Sequence, residues 1–518
     1  MGRTAVRRVL AGMVVCAAAL GGSVAQAASA DDAIPASAGA SIPGSPAEGS
    51  RPGAPVTIYL DFDGEVLEDH YWNRLAGASR LDFAPSAAAT PALIQAVWAS
   101  VAEDYAPFDI NVTTTRPGDD RLYKTSEDDE EYGAHAIITD SDIVPEKVGT
   151  AGYGWIGGAG SEYYEGAIIL PITMGGGDST RASAKAIAEG VSHEVGHNFG
   201  LDHQGIDDGS GVQEYYAPLT GVWGPIMGQA ELTPVSQWTR GDYRGANHRQ
   251  DDIAAITDRS GRKDVSYDLV TDDGASYAGA VCPVGDADLA DPKKGDRFQK
   301  IGARGECDGT GAALTPLFTY VDRADPAQDR VGDDASHATK LKIRQGSASV
   351  HGVIERQDDV DVFRVVAGDG ELKARVAVTE VSPDLDAKLE VTDEAGRVVA
   401  EDDEPTVRES DDVATGLGAE ISVQVPAGVY YLSVDGVGSG DPSKAGVEDA
   451  QGYSDYGSLG NYELSVSTAP APSSTPSAPA DGGSTGGGML FAIVAGAAGV
   501  LVVVVIVVVL SRRRSRKD

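Results

Sequence analysis

The stretch 193–203 constrains this chain more than any other feature. It reads HEVGHNFGLDH, so His193 and His197 stand four residues apart and their imidazoles share one face if the stretch is helical. Gly200 can adopt positive φ, which would end the helix and turn the chain back toward His203. Three imidazoles leave one position of a tetrahedral ion open, which catalytic zinc requires. Glu194 is placed to accept a proton from water activated there.

The full spacing is far more specific than its first half. Two histidines four apart also occur on solvated helices with no metal, and this is the alternative interpretation. The extended pattern gathers three of the chain's eight histidines into one short stretch. It therefore predicts a metal site with His193, His197 and His203 as ligands and Glu194 as the general base.

Residues 55–265 alternate strand-like and helical segments, which predicts a mixed α/β domain around this site. The helix over 183–199 follows from the spacing of Ile187, Val191, Val195 and Phe199. A second helix is predicted over 91–105 and a closing helix over 250–256. The predicted strands cover residues 56–62, 110–115, 135–139, 149–156 and 167–170.

This domain resembles the metzincin zinc peptidases, in their reprolysin-like or gametolysin-like branches. The residues that carry the resemblance are 193–203 and the downstream segment 225–228, PIMG, which looks like the family's Met-turn. The resemblance implies an α+β catalytic domain with a mixed twisted sheet and an active-site helix. It also implies Zn²⁺ as cofactor, a protein or peptide substrate bound along the edge strand 149–156, and support of the site by Met227 and Gly200. The alternative for Met227 is an ordinary core methionine.

The region 331–467 carries short alternating strands between Gly, Asp and Pro turns, which predicts an all-β sandwich. Its segments GVIERQDDVDVFRV, PAGVYYLSV and GNYELSV resemble the pre-peptidase C-terminal domain of secreted peptidases. The resemblance implies an accessory binding role. The acids Asp358, Asp359 and Asp361 suggest either a Ca²⁺ site or a solvated loop.

Both ends of the chain are predicted to be targeting segments. Residues 1–27 have arginines, an apolar stretch and the small-residue pattern AQA, which predicts a signal peptide, followed by a short segment 28–54. The apolar run 489–510 predicts one transmembrane helix, and the basic tail 511–518 predicts a cytoplasmic end. Residues 468–488 are predicted to be a flexible stalk.

Two further properties bound the chain's chemistry. Cys282 and Cys307, in the connecting region 266–330, are predicted to form a disulfide outside the cell. The net charge of −38 argues against nucleic acid as a partner.

Together these features predict a membrane-anchored extracellular zinc-dependent endopeptidase that hydrolyses peptide bonds by Glu-assisted attack of water. The alternative is a surface adhesion or binding protein that keeps a degenerate peptidase fold.

Overall fold

The structure is a computed structural model. The residues that it describes are 13–17, 44–68, 70–125, 129–141, 150–164, 166–207, 209, 211–257, 268–270, 276–278, 325–444 and 452–470.

A mixed sheet organises the first region, as the sequence predicts. Its strand order is β1-β7-β8-β6-β2-β5, in which β5, β2, β6 and β8 run parallel while β7 is antiparallel to β8. Strand β1 lies within the predicted signal segment and pairs antiparallel with β7. The strands, including short pairs outside this sheet, are β1 Met13–Ala17, β2 Val56–Asp61, β3 Val66–Glu68, β4 Arg80–Asp82, β5 Ile110–Thr113, β6 Tyr132–Ile138, β7 Thr150–Trp155, β8 Ala167–Ile169, β9 Ile206–Asp207, β10 Val212–Gln213, β11 Trp223–Pro225, β12 Val235–Gln237, β13 Asp268–Val270 and β14 Ser276–Ala278.

Two long helices cover one face of this sheet and form its main core. The helices of the region are α1 Tyr71–Ala76, α2 Pro91–Asp104, α3 Asp119–Leu122, α4 Pro171–Met174, α5 Ala184–Asn198 and α6 Asp252–Thr257. Thr90 caps α2 by accepting a hydrogen bond from Leu93 N, and Ser183 caps α5 by accepting one from Ala186 N. The predicted apolar face of α5 is fully buried against the sheet.

The opposite face of the sheet is covered by the segment that contains β3, β4 and α1. Trp72 is 1 % exposed and its indole N–H donates to Gly166 O at 2.9 Å. Ile137 and Ile168 pack beside it from the sheet. The sheet is therefore buried on both sides, which explains the nearly unbroken apolar sequence of its parallel strands.

The second region is a β-sandwich, in agreement with the sequence. One sheet has the order β15-β17-β24-β19-β20 and the other β16-β27-β18-β23, and their inner faces share one apolar core. The strands are β15 Thr339–Lys340, β16 Ser347–Ile354, β17 Val360–Ala367, β18 Gly370–Val378, β19 Ala387–Asp393, β20 Val398–Asp402, β21 Val407–Arg408, β22 Ala414–Thr415, β23 Ala419–Val425, β24 Gly428–Gly436, β25 Ser439–Gly440, β26 Gly452–Tyr453 and β27 Gly460–Thr468.

A buried polar seam joins the sandwich to the sheet-and-helix region within one compact unit. Glu103, at the end of α2, is fully buried and accepts a hydrogen bond from Asn461 Nδ2 at 2.7 Å. Asn461 N lies 3.2 Å from both carboxylate oxygens of Glu103. On α5, Lys185 Nζ lies 2.9 Å from Glu189 Oε1 and 3.4 Å from Ser382 Oγ of the sandwich. The two regions are therefore held together by buried polar contacts.

Several predicted features lie outside the described residues. These are Cys282, Cys307, the apolar run 489–510, the basic tail 511–518 and most of the stalk. Within the part of the chain that the structure describes, we find no helix with the length and apolar character that a membrane crossing requires.

Candidate metal centre

Helix α5 and the turn after it bring His193, His197 and His203 together. One ring nitrogen of each histidine lies within 4.8 Å of the others. The Nε2 atoms of His197 and His203 are 3.2 Å apart. Gly200 has φ of 92°, in the left-handed region, and this turn carries the third histidine back toward the helix, as the sequence predicts.

The hydrogen bonds of two of these rings fix which nitrogen faces the centre. His193 Nδ1 lies 2.8 Å from Ile226 O, and His197 Nδ1 lies 2.6 Å from Leu201 O. Because a carbonyl oxygen can only accept, each Nδ1 carries the proton and each Nε2 presents its lone pair.

His203 is held in the same way by a carboxylate. Its Nδ1 lies 2.8 Å from Glu214 Oε1, which sets Nδ1 as the donor and leaves the Nε2 lone pair toward His197. Two nitrogen lone pairs that face each other at 3.2 Å repel unless a cation lies between them. The donor set and the tautomers therefore fit a divalent metal such as zinc.

Burial also keeps the imidazoles in the form that binds metal. It lowers the pKa of His193 to about 4, and it lowers the pKa of His197 well below its ordinary value. Both rings are therefore neutral at neutral pH, so no proton competes for their lone pairs.

Glu194 is a buried carboxylate without a partner in the described protein. It is fully buried, and neither of its oxygens has a hydrogen bond there. Burial raises its pKa well above the usual range. Such a group is costly to the fold, and its position beside the histidines suits it to exchange protons with a molecule bound at the centre.

Strand β7 touches Glu194 through two glycines. A Cβ at Gly152 would lie 2.8 Å from Glu194 Cγ, and a Cβ at Gly154 would lie 2.4 Å from Glu194 O. A larger residue would displace the Glu194 side chain at Gly152 and would clash with the α5 backbone at Gly154, so the two glycines allow β7 to lie directly against Glu194.

Met227 lies below the centre, where the sequence predicts a supporting turn. It is fully buried, and a Cβ added at Gly196 of α5 would lie 2.7 Å from its sulfur. Gly228 N donates to Pro225 O at 2.8 Å to close the turn, and Gln204 N donates to Met227 O at 2.8 Å. The turn is thus tied to the residue that follows His203.

The sequence did not indicate two residues that border the centre. Glu214 holds His203, and the ring of Tyr215 lies 4.1 Å from the ring of His203 and 6.2 Å from that of His193, between centroids. Both belong to the segment after β10, where no periodicity or spacing marks them. Their adjacency to a candidate ligand arises only from the fold.

A group of acids in the sandwich partly overlaps the predicted calcium site. Asp329, Asp333 and Asp359 place one oxygen each within 4.8 Å of the others. Arg356 Nη2 lies 3.2 Å from both Asp329 and Asp333, so a protein cation already offsets their charge. Asp358 is not part of this group. The calcium site stays a prediction.

The comparisons with known proteins bear on the segment that contains the centre. Residues 99–204 match the family described as metallo-peptidase family M12B, reprolysin-like. This segment is therefore similar to reprolysin-like metallopeptidases, and a β domain follows it in the chain, as the sequence indicated. No curated protein matches the chain.

Solved structures similar to part of the chain include two small proteins. One is PliG of Aeromonas hydrophila, a periplasmic inhibitor of g-type lysozyme, with 14% identity over 25% of this chain and 93% of that chain, at a TM-score of 0.16. The other is the pre-peptidase C-terminal domain of a collagenase from Bacillus anthracis, with 18% identity over 25% of this chain and 92% of that chain, at a TM-score of 0.17.

Proposed function

We propose that this chain is a zinc-dependent endopeptidase with Glu194 as its general base. The observation that carries the proposal is the shared tautomer of His193, His197 and His203, whose Nδ1 atoms are all paired with oxygens. Three neutral imidazoles then direct lone pairs to one point beside an unpaired carboxylate. This is the arrangement that metal-assisted hydrolysis requires.

The residues divide the chemistry between them. His193, His197 and His203 would hold the zinc ion, which would supply polarisation of the scissile carbonyl and a lower pKa for water. Glu194 accepts the proton of the attacking water and passes it to the departing amine.

The substrate that suits this cleft is an extended polypeptide. Strand β7 lies against Glu194, and its outer edge pairs in antiparallel register with β1, a strand of the predicted signal segment, which occupies this edge as an extended polypeptide would. Main-chain hydrogen bonds along β7 would place one peptide bond at the centre without strong demands on side-chain identity. An endopeptidase acting on proteins or peptides follows from that geometry.

The test separates metal binding from turnover. In the purified full chain, His203→Ala should lose both zinc and hydrolysis of casein, because only two protein ligands remain. Glu194→Gln should keep about one zinc per chain while hydrolysis falls by roughly 10² to 10⁴, the usual worth of a positioned base. An adhesion protein with a degenerate peptidase fold predicts instead that the parent hydrolyses nothing. Full activity of Glu194→Gln would disprove the assigned mechanism.

The location that we propose is the outer face of a cell membrane. The support is the sequence alone: the signal-like segment 1–27, the apolar run 489–510 and the basic tail 511–518. A chain truncated before residue 486 should be released from expressing cells, whereas the full chain should stay with the membrane fraction. Full chain found free in the medium without trimming would contradict the anchor.

Two finer proposals have direct measurements. Cys282 and Cys307 should appear as one disulfide in non-reducing mass spectrometry, and two free thiols would refute that pairing. If the acids around Asp359 bind Ca²⁺, added calcium should raise the melting temperature of the full chain but not that of Asp359→Asn. An unchanged parent would leave Arg356 as the cation of that cluster.

A further inference from the structure

Tyr215 lies at the wall of the candidate metal centre, beside the third histidine. Its ring is tilted by 47° on His203 at 4.1 Å and reaches to 6.2 Å from His193. The residue is partly exposed, whereas His193 and His197 are buried. Tyr215 therefore borders both the ligands and the space from which a substrate approaches.

Both neighbours of Tyr215 in the chain are held by hydrogen bonds. On one side, the Glu214 carboxylate is engaged by His203 Nδ1 at 2.8 Å. On the other side, Tyr216 N donates to Gln204 O at 2.9 Å, and Gln229 N donates to Tyr216 O at 3.0 Å. Tyr215 therefore belongs to a segment that hydrogen bonds hold in place, and this segment positions its side chain beside His203.

Beyond the polarisation that zinc would supply, the proposed hydrolysis calls for a hydrogen-bond donor to the scissile carbonyl oxygen, and no residue described so far has that role. As water attacks the scissile carbonyl, negative charge develops on the carbonyl oxygen, and a positioned donor there lowers the barrier. Glu194 acts as a proton acceptor on the water and cannot serve that oxygen. The Asn198 side-chain amide is already donated to Trp155 O at 3.0 Å.

We infer that the Tyr215 hydroxyl is a catalytic donor that hydrogen-bonds to the carbonyl oxygen of the scissile bond as this oxygen gains charge. The inference rests on the proposed function. The geometric basis is the position of the phenol ring, which packs on His203 and lies within 6.2 Å of His193, between centroids. No covalent bond to Tyr215 forms or breaks in this step.

The closing experiment compares Tyr215→Phe, Tyr215→Ala and Tyr216→Phe with the parent full chain. Tyr216 is the matched control, since its ring is fully buried and stacks on Tyr243 at 4.7 Å. Four quantities are measured for each protein. These are zinc content, kcat and KM on a peptide that the parent cleaves, and affinity for the phosphinic analogue of that peptide, whose anionic tetrahedral group resembles the charged state.

Loss of one such donor is worth about 10²- to 10³-fold in kcat, and about tenfold is the lower limit expected for a partly exposed group that water can replace. Tyr215→Phe should therefore lower kcat by about 10- to 100-fold with little change in KM and with full zinc content. The affinity for the phosphinic peptide should fall by a similar factor. Tyr216→Phe should stay within about threefold of the parent in both measurements.

Each remaining outcome overturns a defined part of the inference. If Tyr215→Phe matches the parent while Tyr215→Ala loses zinc, the ring only positions His203 and the donor role is wrong. If Tyr215→Phe lowers kcat but binds the phosphinic peptide as tightly as the parent does, the hydroxyl acts elsewhere and the inference is also wrong. A parent that holds no zinc or hydrolyses no peptide refutes the proposed function, and the role of Tyr215 falls with it.

Discussion

The polar seam between the sandwich and the peptidase region makes a strong prediction about cooperativity. Asn461, in β27, donates through Nδ2 to the Glu103 carboxylate of α2 at 2.7 Å, and Glu103 is fully buried. Asn461→Ala removes this donor and leaves the two longer backbone contacts at 3.2 Å. Leaving a buried polar group without its hydrogen-bond partner costs about 1–3 kcal/mol, so we expect a loss of about 2 kcal/mol in the free energy of unfolding.

The tryptophans of this chain report the effect of Asn461→Ala from the region on the other side of the seam. All 5 lie in the peptidase region and none in the sandwich: Trp72, Trp98, Trp155, Trp223 and Trp238. Tryptophan fluorescence therefore reports unfolding of the peptidase region, while Asn461 belongs to the sandwich. For a cooperative unit of this size, about 2 kcal/mol corresponds to a fall of roughly 2–4 °C in the fluorescence melting temperature.

A control substitution on the surface of the sandwich shows how far the melting temperature moves when the seam is left intact. Gln424 is exposed on β23, and Gln424→Ala should leave the melting temperature within about 1 °C of the parent, as is usual for surface substitutions. If Asn461→Ala leaves the tryptophan transition unchanged while it lowers a separate transition of the sandwich, the two regions unfold independently. The seam would then not transmit stability, and the reasoning would be refuted.

Three further predictions concern the centre and its surroundings. Gly154→Ala places a Cβ 2.4 Å from Glu194 O, and we expect kcat/KM to fall at least tenfold while zinc is retained. Unchanged kinetics would show that β7 can move away from Glu194 without loss of activity. Glu214→Ala removes the partner of His203 Nδ1 and should weaken zinc binding by about 10- to 100-fold in a chelator competition, whereas equal affinity would exclude a positioning role. Burial raises the pKa of Asp252 to about 8, above its value of about 4 in the unfolded chain. The folded state therefore binds this proton more tightly than the unfolded state, and the resulting stabilisation is present at low pH and is lost as pH rises through 8. The melting temperature should fall between about pH 5 and pH 8, and Asp252→Asn should flatten that slope; an identical slope in the variant would contradict the assignment.

Sequence periodicity predicted the elements that bury one face. Helix α5 was predicted over 183–199 and spans Ala184–Asn198, because an apolar stripe and the glycine that follows both mark it locally. Strand β2 was likewise predicted over 56–62 and spans Val56–Asp61. The convergence of three histidines followed from spacing along one helix and one turn. Such features are determined by residues that lie close together in the sequence, so they can be predicted from one sequence alone.

The features that sequence reasoning missed depend on residues far apart in the chain. Glu103 and Asn461 are separated by 358 positions, and neither residue type suggests a buried interregion contact. Glu214 and Tyr215 follow β10, a strand of 2 residues that is too short for a periodic signal. Their roles arise when the hairpin of β9 and β10 folds beside His203, which only the three-dimensional arrangement determines.

The contact between Glu194 and the two glycines of β7 depends on the register of that strand. Gly152 and Gly154 face it, and the residue between them, Tyr153, points to the other side of the sheet, where it is fully buried. A slip of β7 by one residue would exchange these faces and place an aromatic ring against Glu194, the proposed general base. An error in the register of this strand would therefore abolish the proposed hydrolysis.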